Sequence, residues 1–549
     1  MKHGALFCAA AAAVLGACRE APSCPGDWCG TAVLVSAEPG VLLPPVTQTD
    51  ADSWITAMVF SRLAELGSGL NTIGDSGFVP GLAEAWAWQD PTTVRFTLNP
   101  KARWHDGRPV TAQDVAFTFD VYRDPKVNAG ARPLLEQIAS VTPADSHTVV
   151  IRFRRTYPES FFDAVFQMWI LPRHALDSVP RDRLSSHPFG RNPIGSGPFR
   201  FVRWTTGQSI ELAGDSSYSL GRPGWRRVIW RFIPDVPAGV TQLVAGEADA
   251  TSALLTPELL ERLRGAPQLN LTPYALPAYS YIGFNLRAPG RPASPHVLFS
   301  DRELRRAVTM AVDAGAAVRA VLGDLGEVPS GPFAPWLWIA SDSVTPLPHD
   351  TAAAKRSLDD LGWRVDADGV RSSNGRRLEF DLLVPASSAP RRRIAVVVQD
   401  QLKRVGISMQ ITELDFNAFI ARSQAGRFDA AFLSWVSDSP SPRSIRQTWS
   451  TAGIGGSNYL RYSSPEFDRL IDQAVAEADR GRAATLWHQA IAVINADAPA
   501  IWIYVPRPVL VAHRRFVNTA LRPDLWTALL WQWRVNPEAL TERDLVVVP

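Results

Sequence analysis

The chain has 549 residues, more than one ordinary hydrophobic core can organise, which predicts two or three lobes. Its 46% apolar and 20% charged residues exclude a disordered chain, and a formal net charge of +2 excludes the basic field of a nucleic-acid binder. Most of its 19 tryptophans are core candidates, but such a surplus of rigid rings also suits a site that encloses an organic ligand.

In chain order, Lys2 and His3 precede an unbroken apolar run, Ala5 to Ala17. The run is too short for a bilayer anchor and has the length of a signal-peptide core. It ends in LGAC, Leu15 to Cys18, which resembles a bacterial lipobox, where the cysteine becomes the new N-terminus and carries lipid. The alternative is an ordinary cleavage site that contains a cysteine. Residues 1–18 are thus expected to be a signal peptide with Cys18 lipidated, and residues 19–30 a tether. No later stretch is long enough to cross a membrane, so the chain is expected to be anchored outside the cytoplasm and otherwise soluble. An oxidising compartment suits a disulfide between Cys24 and Cys29, whereas a metal would find only two thiolates there and no neighbouring histidine.

TAVLV from Thr31 reads as a strand. From Ala51, apolar residues at Trp54, Met58, Val59, Leu63 and Leu66 have helical spacing. Alternation predicts strands over residues 92–98 and 147–153, and a further strand over 227–233. Asp106–Gly107 is a strong turn signal, and Thr111 with Asp114 forms a capping box for the helix that follows. Further on, residues 279–285, 377–384, 407–414 and 428–435 read as strands. Between them lies a helix capped by Ser300, with Glu303 completing its capping box, and a second capped by Asp313 and stopped at Gly323. A third ends at Gly406, and Ser464 caps a fourth with Pro465 at its first position. The alternation of strands and helices predicts an α/β fold.

Two stretches look catalytic. GDSG, Gly74 to Gly77, resembles the nucleophile loop of trypsin-like proteases, but Phe78 follows it and the nearest histidine lies downstream, so it reads as a turn. His105–Asp106 could form an acid–base dyad, yet strand–turn–helix logic accounts for it without chemistry. There is no P-loop, no H-E-x-x-H and no G-x-S-x-G.

Residues 79–120 resemble the signature of the extracellular solute-binding proteins of family 5, the oligopeptide, dipeptide and nickel group of ABC importers. NPIGSGPFRF (Asn192 to Phe201), VAGEADA, YIGFN, DRELRRAVTMAVD, DLGW, LKRVGI and SSPEFDRLIDQA continue the resemblance in the family's order. It implies an α/β, two-lobed periplasmic-binding-protein type II clamp with an additional subdomain. Lobe I would comprise residues 31–75, 194–278 and 507–549, the subdomain 76–193 and lobe II 279–506. It further implies a monomeric receptor, not an enzyme, without cofactor or metal, that hands peptides to a membrane permease. The same clamp could hold a sugar, an opine or a metal chelate, and a secreted hydrolase is the rival of a different class.

In peptide-binding members an Asp following a W-x-x-D pattern pairs with the ligand's α-ammonium, which here points to Asp438 after Trp435. Trp435 could pack on the ligand. Asn458 and Tyr459 lie where the family often has a cleft-loop Asn, and Gly456 beside Gly455 would let backbone approach the ligand. The sequence departs from the family where many relatives have Asp-Pro: here stand Ser441, Pro442 and then Arg443.

Overall fold

The computed structural model describes residues 24, 28–47, 49–436 and 440–545. Cys18 and Asp438 lie outside the described residues. Among the described residues no helix is long and apolar enough to cross a membrane.

A seven-stranded sheet organises one half of the molecule, in the order Leu269–Pro273, Val509–His513, Ala250–Ala253, Thr31–Ser36, Arg227–Phe232, Ser209–Gly214, Phe199–Thr205. Its centre is parallel: Thr31–Ser36 runs alongside both Arg227–Phe232 and Ala250–Ala253. Every residue of Thr31–Ser36 is buried. Ala32 and Leu34 enter one core and Val33 and Val35 another, which is how a strand covered on both faces loses its polar alternation. A four-stranded antiparallel sheet, Ala83–Asp90, Thr93–Leu98, Thr148–Phe153 and Ile138–Pro143, forms a side unit sharing the first of these cores.

The other half is built on six strands, ordered Gly326–Glu327, Ala500–Pro506, Ala278–Phe284, Ala430–Val436, Glu379–Pro385, Ser408–Leu414. The chain passes between the two large sheets twice, from Pro273 to Ala278 and from Pro506 to Val509. The two crossings lie side by side: Tyr274 N donates to Pro508 O at 3.1 Å and Leu276 N to Pro506 O at 3.0 Å.

Local chemistry explains the element ends. Thr49 and Asp52 form the capping box of helix Asp50–Val59. The apolar spacing of the sequence runs on to Leu66, but the helix stops at Val59, and Ala64–Leu66 is a strand. At the stop the Val59 carbonyl accepts from Gly197 N at 2.8 Å, so a segment from far along the chain closes over the end. A Cβ at Gly195 would stand 1.8 Å from that same carbonyl oxygen, and glycine is what admits the approach. Helix Arg302–Met310 is capped by Asp301 and not by Ser300: Asp301 accepts from Glu303 N and Leu304 N, while the Ser300 hydroxyl donates to His296 O. A carboxylate at the first turn also meets the helix dipole, which a hydroxyl does not.

The first and last described segments are tied together. Cys24 and Cys29 are joined by a disulfide, and the Trp28 indole donates to Pro223 O at 2.9 Å. Arg515 donates to Asp249 at 2.9 Å and to both oxygens of Asp544 at 2.8 Å. Those acids also accept from Val33 N and Thr31 N, so strand Thr31–Ser36, the body of the sheet and the C-terminal segment meet in one buried ionic knot.

Candidate ligand-binding site

Between the two halves lies a cavity of about 960 Å3. Its floor is formed where the parallel strands of the seven-stranded sheet end, at Ser36, Ile233 and Ala253. That is where open α/β sheets receive ligands, because carboxyl ends and the loops after them diverge there. From the opposite half, Val436 at the end of strand Ala430–Val436 reaches the cavity, two residues before Asp438. The first turn of helix Asp50–Val59 adds Asp50, whose carboxyl burial pushes above its ordinary pKa. Tyr274, held by Ser252, lines the wall with its phenol pushed up to about 12 by burial.

Aromatic rings supply much of the apolar wall. Trp54 and Trp526 meet edge to face with centroids 5.6 Å apart. Arg62 is gripped between Phe166 and Trp169, its guanidinium carbon 4.0 and 3.8 Å from the two ring centres.

A second assembly bridges the halves. Arg443 makes a bidentate contact to Asp163, at 2.7 and 3.1 Å, and an ion pair with Glu159. Both acids belong to the side-unit half and are nearly inaccessible to water. Ser441 donates to Glu159 at 2.6 Å, Thr72 closes on the other Glu159 oxygen, and the Tyr157 hydroxyl donates to Asp163. Trp338, from the far half, donates to Thr72 at 3.3 Å. Burial raises the Glu159 carboxyl above its ordinary pKa, with Arg443 opposing. The stretch that departs from the family, Ser441-Pro442-Arg443, is therefore the stretch that crosses the cleft.

The sequence-predicted residues are spread out. Trp435 and Tyr459 are half-buried against the far-half core, and the Trp435 indole nitrogen is buried without a hydrogen-bond partner among the described residues. Its neighbour Val436, on the opposite face of the strand, is the one that lines the cavity. Asn458 is buried with its amide fully engaged: its nitrogen donates to Ser450 O and Tyr462 O, and its oxygen accepts from Tyr462 N. Gly456 is exposed in the turn that this asparagine holds. Arg62, Gln167 and Asp524 line the cavity but carried no signal in the sequence, because each comes from a different distant segment.

Both catalytic-looking stretches prove structural in their contacts. In the GDSG turn, Asp75 accepts from the indoles of Trp86 and Trp88, each at 3.1 Å. The His105 ring clasps the IGSGPF segment, with Nε2 donating to Gly197 O at 3.0 Å and Nδ1 accepting from Gly195 N at 3.2 Å. Asp106 pairs instead with His174 at 2.8 Å. Among the described residues no group of three or more His, Cys, Asp and Glu could hold a metal ion.

Burial holds the His105 pKa below its ordinary value of 6.5. The unfolded chain then takes up the proton first, so stability is full above about pH 6.5 and falls with acidification below it. His105→Ala is expected to cost about 2 kcal/mol at pH 7.5, since two backbone groups lose their partner. Its melting temperature should also fall less steeply than that of the wild type between about pH 6.5 and pH 5. Thermal melts across that window check both, and parallel acid limbs would rule out the clasp as their source.

The family of bacterial extracellular solute-binding proteins, family 5, matches residues 77–457. The oligopeptide-binding protein AppA of Bacillus subtilis is 31% identical over 441 residues, covering 78% of each chain. The solved structure of that protein in complex with a nonapeptide is similar with a TM-score of 0.70 at 27% identity, over 92% of this chain and 99% of that one. HbpA2 from Haemophilus parasuis shares the fold at a TM-score of 0.78 and 24% identity, over 92% of this chain and 100% of that one. With its two α/β halves, their side unit and the cleft between them, the chain belongs to the bacterial extracellular solute-binding proteins of family 5 and has their two-lobed, type II clamp.

Proposed function

We propose that this chain is the peptide-capturing receptor of an ABC importer. It encloses a peptide between its lobes and delivers it to a membrane permease, acting as a monomer held at the membrane by a lipid on Cys18. Residues 1–18 are its signal peptide and 19–30 its tether. Lobe I comprises residues 31–75, 194–278 and 507–549, with the subdomain at 76–193 and lobe II at 279–506. The composition of the sheets supports this division.

The observation that carries the reading is the cavity itself. At about 960 Å3 it stands at the upper end of small-molecule sites, roughly 300–1,000 Å3, and has room for an extended chain of several residues. Relatives named for oligopeptide binding support peptides as the solute. Asp438 follows Val436 at the cavity edge and is assigned the ligand's α-ammonium, an acid that a buried cation requires. Trp435 and Tyr459, packed on the far-half core, and Asn458 and Gly456, in the turn that Asn458 holds, are assigned supporting roles in the same site.

Native mass spectrometry of the chain beginning after Cys18, followed by release of whatever it retains, tests the solute. A ladder of short peptides is expected, and Asp438→Asn should then weaken peptide affinity about tenfold or more. A single non-peptide mass, such as a sugar, an opine or a metal chelate, would replace the solute and leave the clamp.

A further inference from the structure

Five residues of the cavity wall hold buried polar atoms with no hydrogen-bond partner among the described residues: Arg62 Nε and Nη1, Gln167 Nε2, Trp526 Nε1, Thr56 Oγ1 and Asp524 Oδ2. Buried polar groups are almost always paired, because leaving one dry costs free energy. Several on one wall mark where a polar ligand belongs. The set is also one-sided. The nitrogen atoms of Arg62, Gln167 and Trp526 only donate, Thr56 can do either, and Asp524 Oδ2 alone must accept.

Arg62 is the strongest member. It is 6% exposed, and Phe166 and Trp169 cover the two faces of its guanidinium, so only its N–H edge can meet a polar group. Glu65 lies 3.6 Å from Nη1 without a hydrogen bond and is shared with Arg522 at 3.5 Å. The nearby Asp524 gives its other oxygen to Arg522 Nε at 2.8 Å. Arg62 thus has two counter-charges, Glu65 and Asp524, and shares both with Arg522 while hydrogen-bonding to neither. Burial pulls its pKa down, with Glu65 and Asp524 opposing and the like charge of Arg522 adding to the fall. Gln167 lies between the two clamping rings in sequence and adds a further donor to the same wall.

We infer that this wall is a carboxylate subsite, with Arg62 as its anchor and Gln167 as a second donor. A carboxylate accepts several charge-assisted hydrogen bonds at once and meets the N–H groups that Arg62 leaves without an acceptor. The inference rests on the cavity being the solute site. In a peptide the group is the C-terminal carboxylate; in another solute it is a carboxylic acid presented the same way.

The test offers the ligand-stripped, refolded chain equal amounts of a randomised pentapeptide library with free C-termini and the same library C-terminally amidated. A third arm offers non-peptide carboxylic acids, sugar–amino acid conjugates among them. Retained molecules are counted by mass spectrometry. Wild type is expected to enrich free-acid peptides about tenfold over amides. Arg62→Gln should abolish that preference. Gln167→Leu, which buries no unpaired charge, should reduce the preference and provides the readout if Arg62→Gln does not fold. Equal capture of both libraries by wild type, or a preference unchanged in the variants, would overturn the subsite and leave peptide binding standing. Capture of the non-peptide acids alone, lost in Arg62→Gln, would support the subsite and overturn the peptide. Capture of nothing would overturn both.

Discussion

Arg515→Ala is expected to lower the unfolding free energy by about 4 kcal/mol, the largest loss from any single substitution considered. The side chain is 2% exposed and holds two acids, Asp249 and Asp544, whose carboxylate side chains are both fully inaccessible. Removing the guanidinium leaves Asp544 without its cation and Asp249 with Arg543 alone, in a dry site, and that penalty exceeds whatever the pairs contribute while intact. The damage should spread. Asp249 and Asp544 orient Val33 and Thr31, so the central strand loses its support with the C-terminal segment. Chemical denaturation with the slope held constant measures the loss. A cost under about 1 kcal/mol would mean that water reaches the knot and that its charges are already solvated. Arg515→Met should recover little, because it fills the volume and leaves Asp544 without a cation and Asp249 with Arg543 alone.

Arg443→Ala should act on a different quantity. Its partners Glu159 and Asp163 belong to the opposite half, so the variant is expected to relieve their isolation by opening, without unfolding. The expected result is a population shifted toward an open clamp and solute affinity weakened on the order of ten- to hundredfold, with the melting temperature of the unliganded chain nearly unchanged. Small-angle scattering and calorimetric titration with a retained peptide separate these effects. The double substitution Glu159→Gln with Asp163→Asn removes the isolated charges and should restore part of the affinity lost in Arg443→Ala. Unchanged affinity and shape in Arg443→Ala would reduce the bridge to a passive contact.

Features specified by neighbouring residues were legible in the sequence. Thr111 with Asp114, Asp313 and Ser464 cap the helices that their spacing announces, because a cap depends on residues within one turn. The turn reading of His105–Asp106–Gly107 agrees with the ring's two backbone contacts. At Ser300 two cap residues stand side by side, and spacing alone does not rank a hydroxyl below a carboxylate. The helix from Ala51 was overextended because its end is set by Gly197, distant in sequence. Arg62 illustrates why the binding wall stayed hidden. A cation within an apolar helical pattern reads as a solvated side chain, and its clamp comes from residues 166–169, while Arg522 and Asp524 supply the distant charges around it. The Ser441-Pro442-Arg443 departure was visible, yet its meaning depended on two acids nearly three hundred residues upstream.

The paired crossings at Pro273–Ala278 and Pro506–Val509 make one axle of two strands. Prolines at 273, 277, 506 and 508 stiffen it, and the two hydrogen bonds keep the strands from turning independently. Opening then reduces to a single angle shared by every point on the rim of the cleft. One pair of fluorophores, one on each lobe and away from the cavity, would report the whole conformational coordinate, and this chain could serve as a ratiometric sensor for whatever it carries.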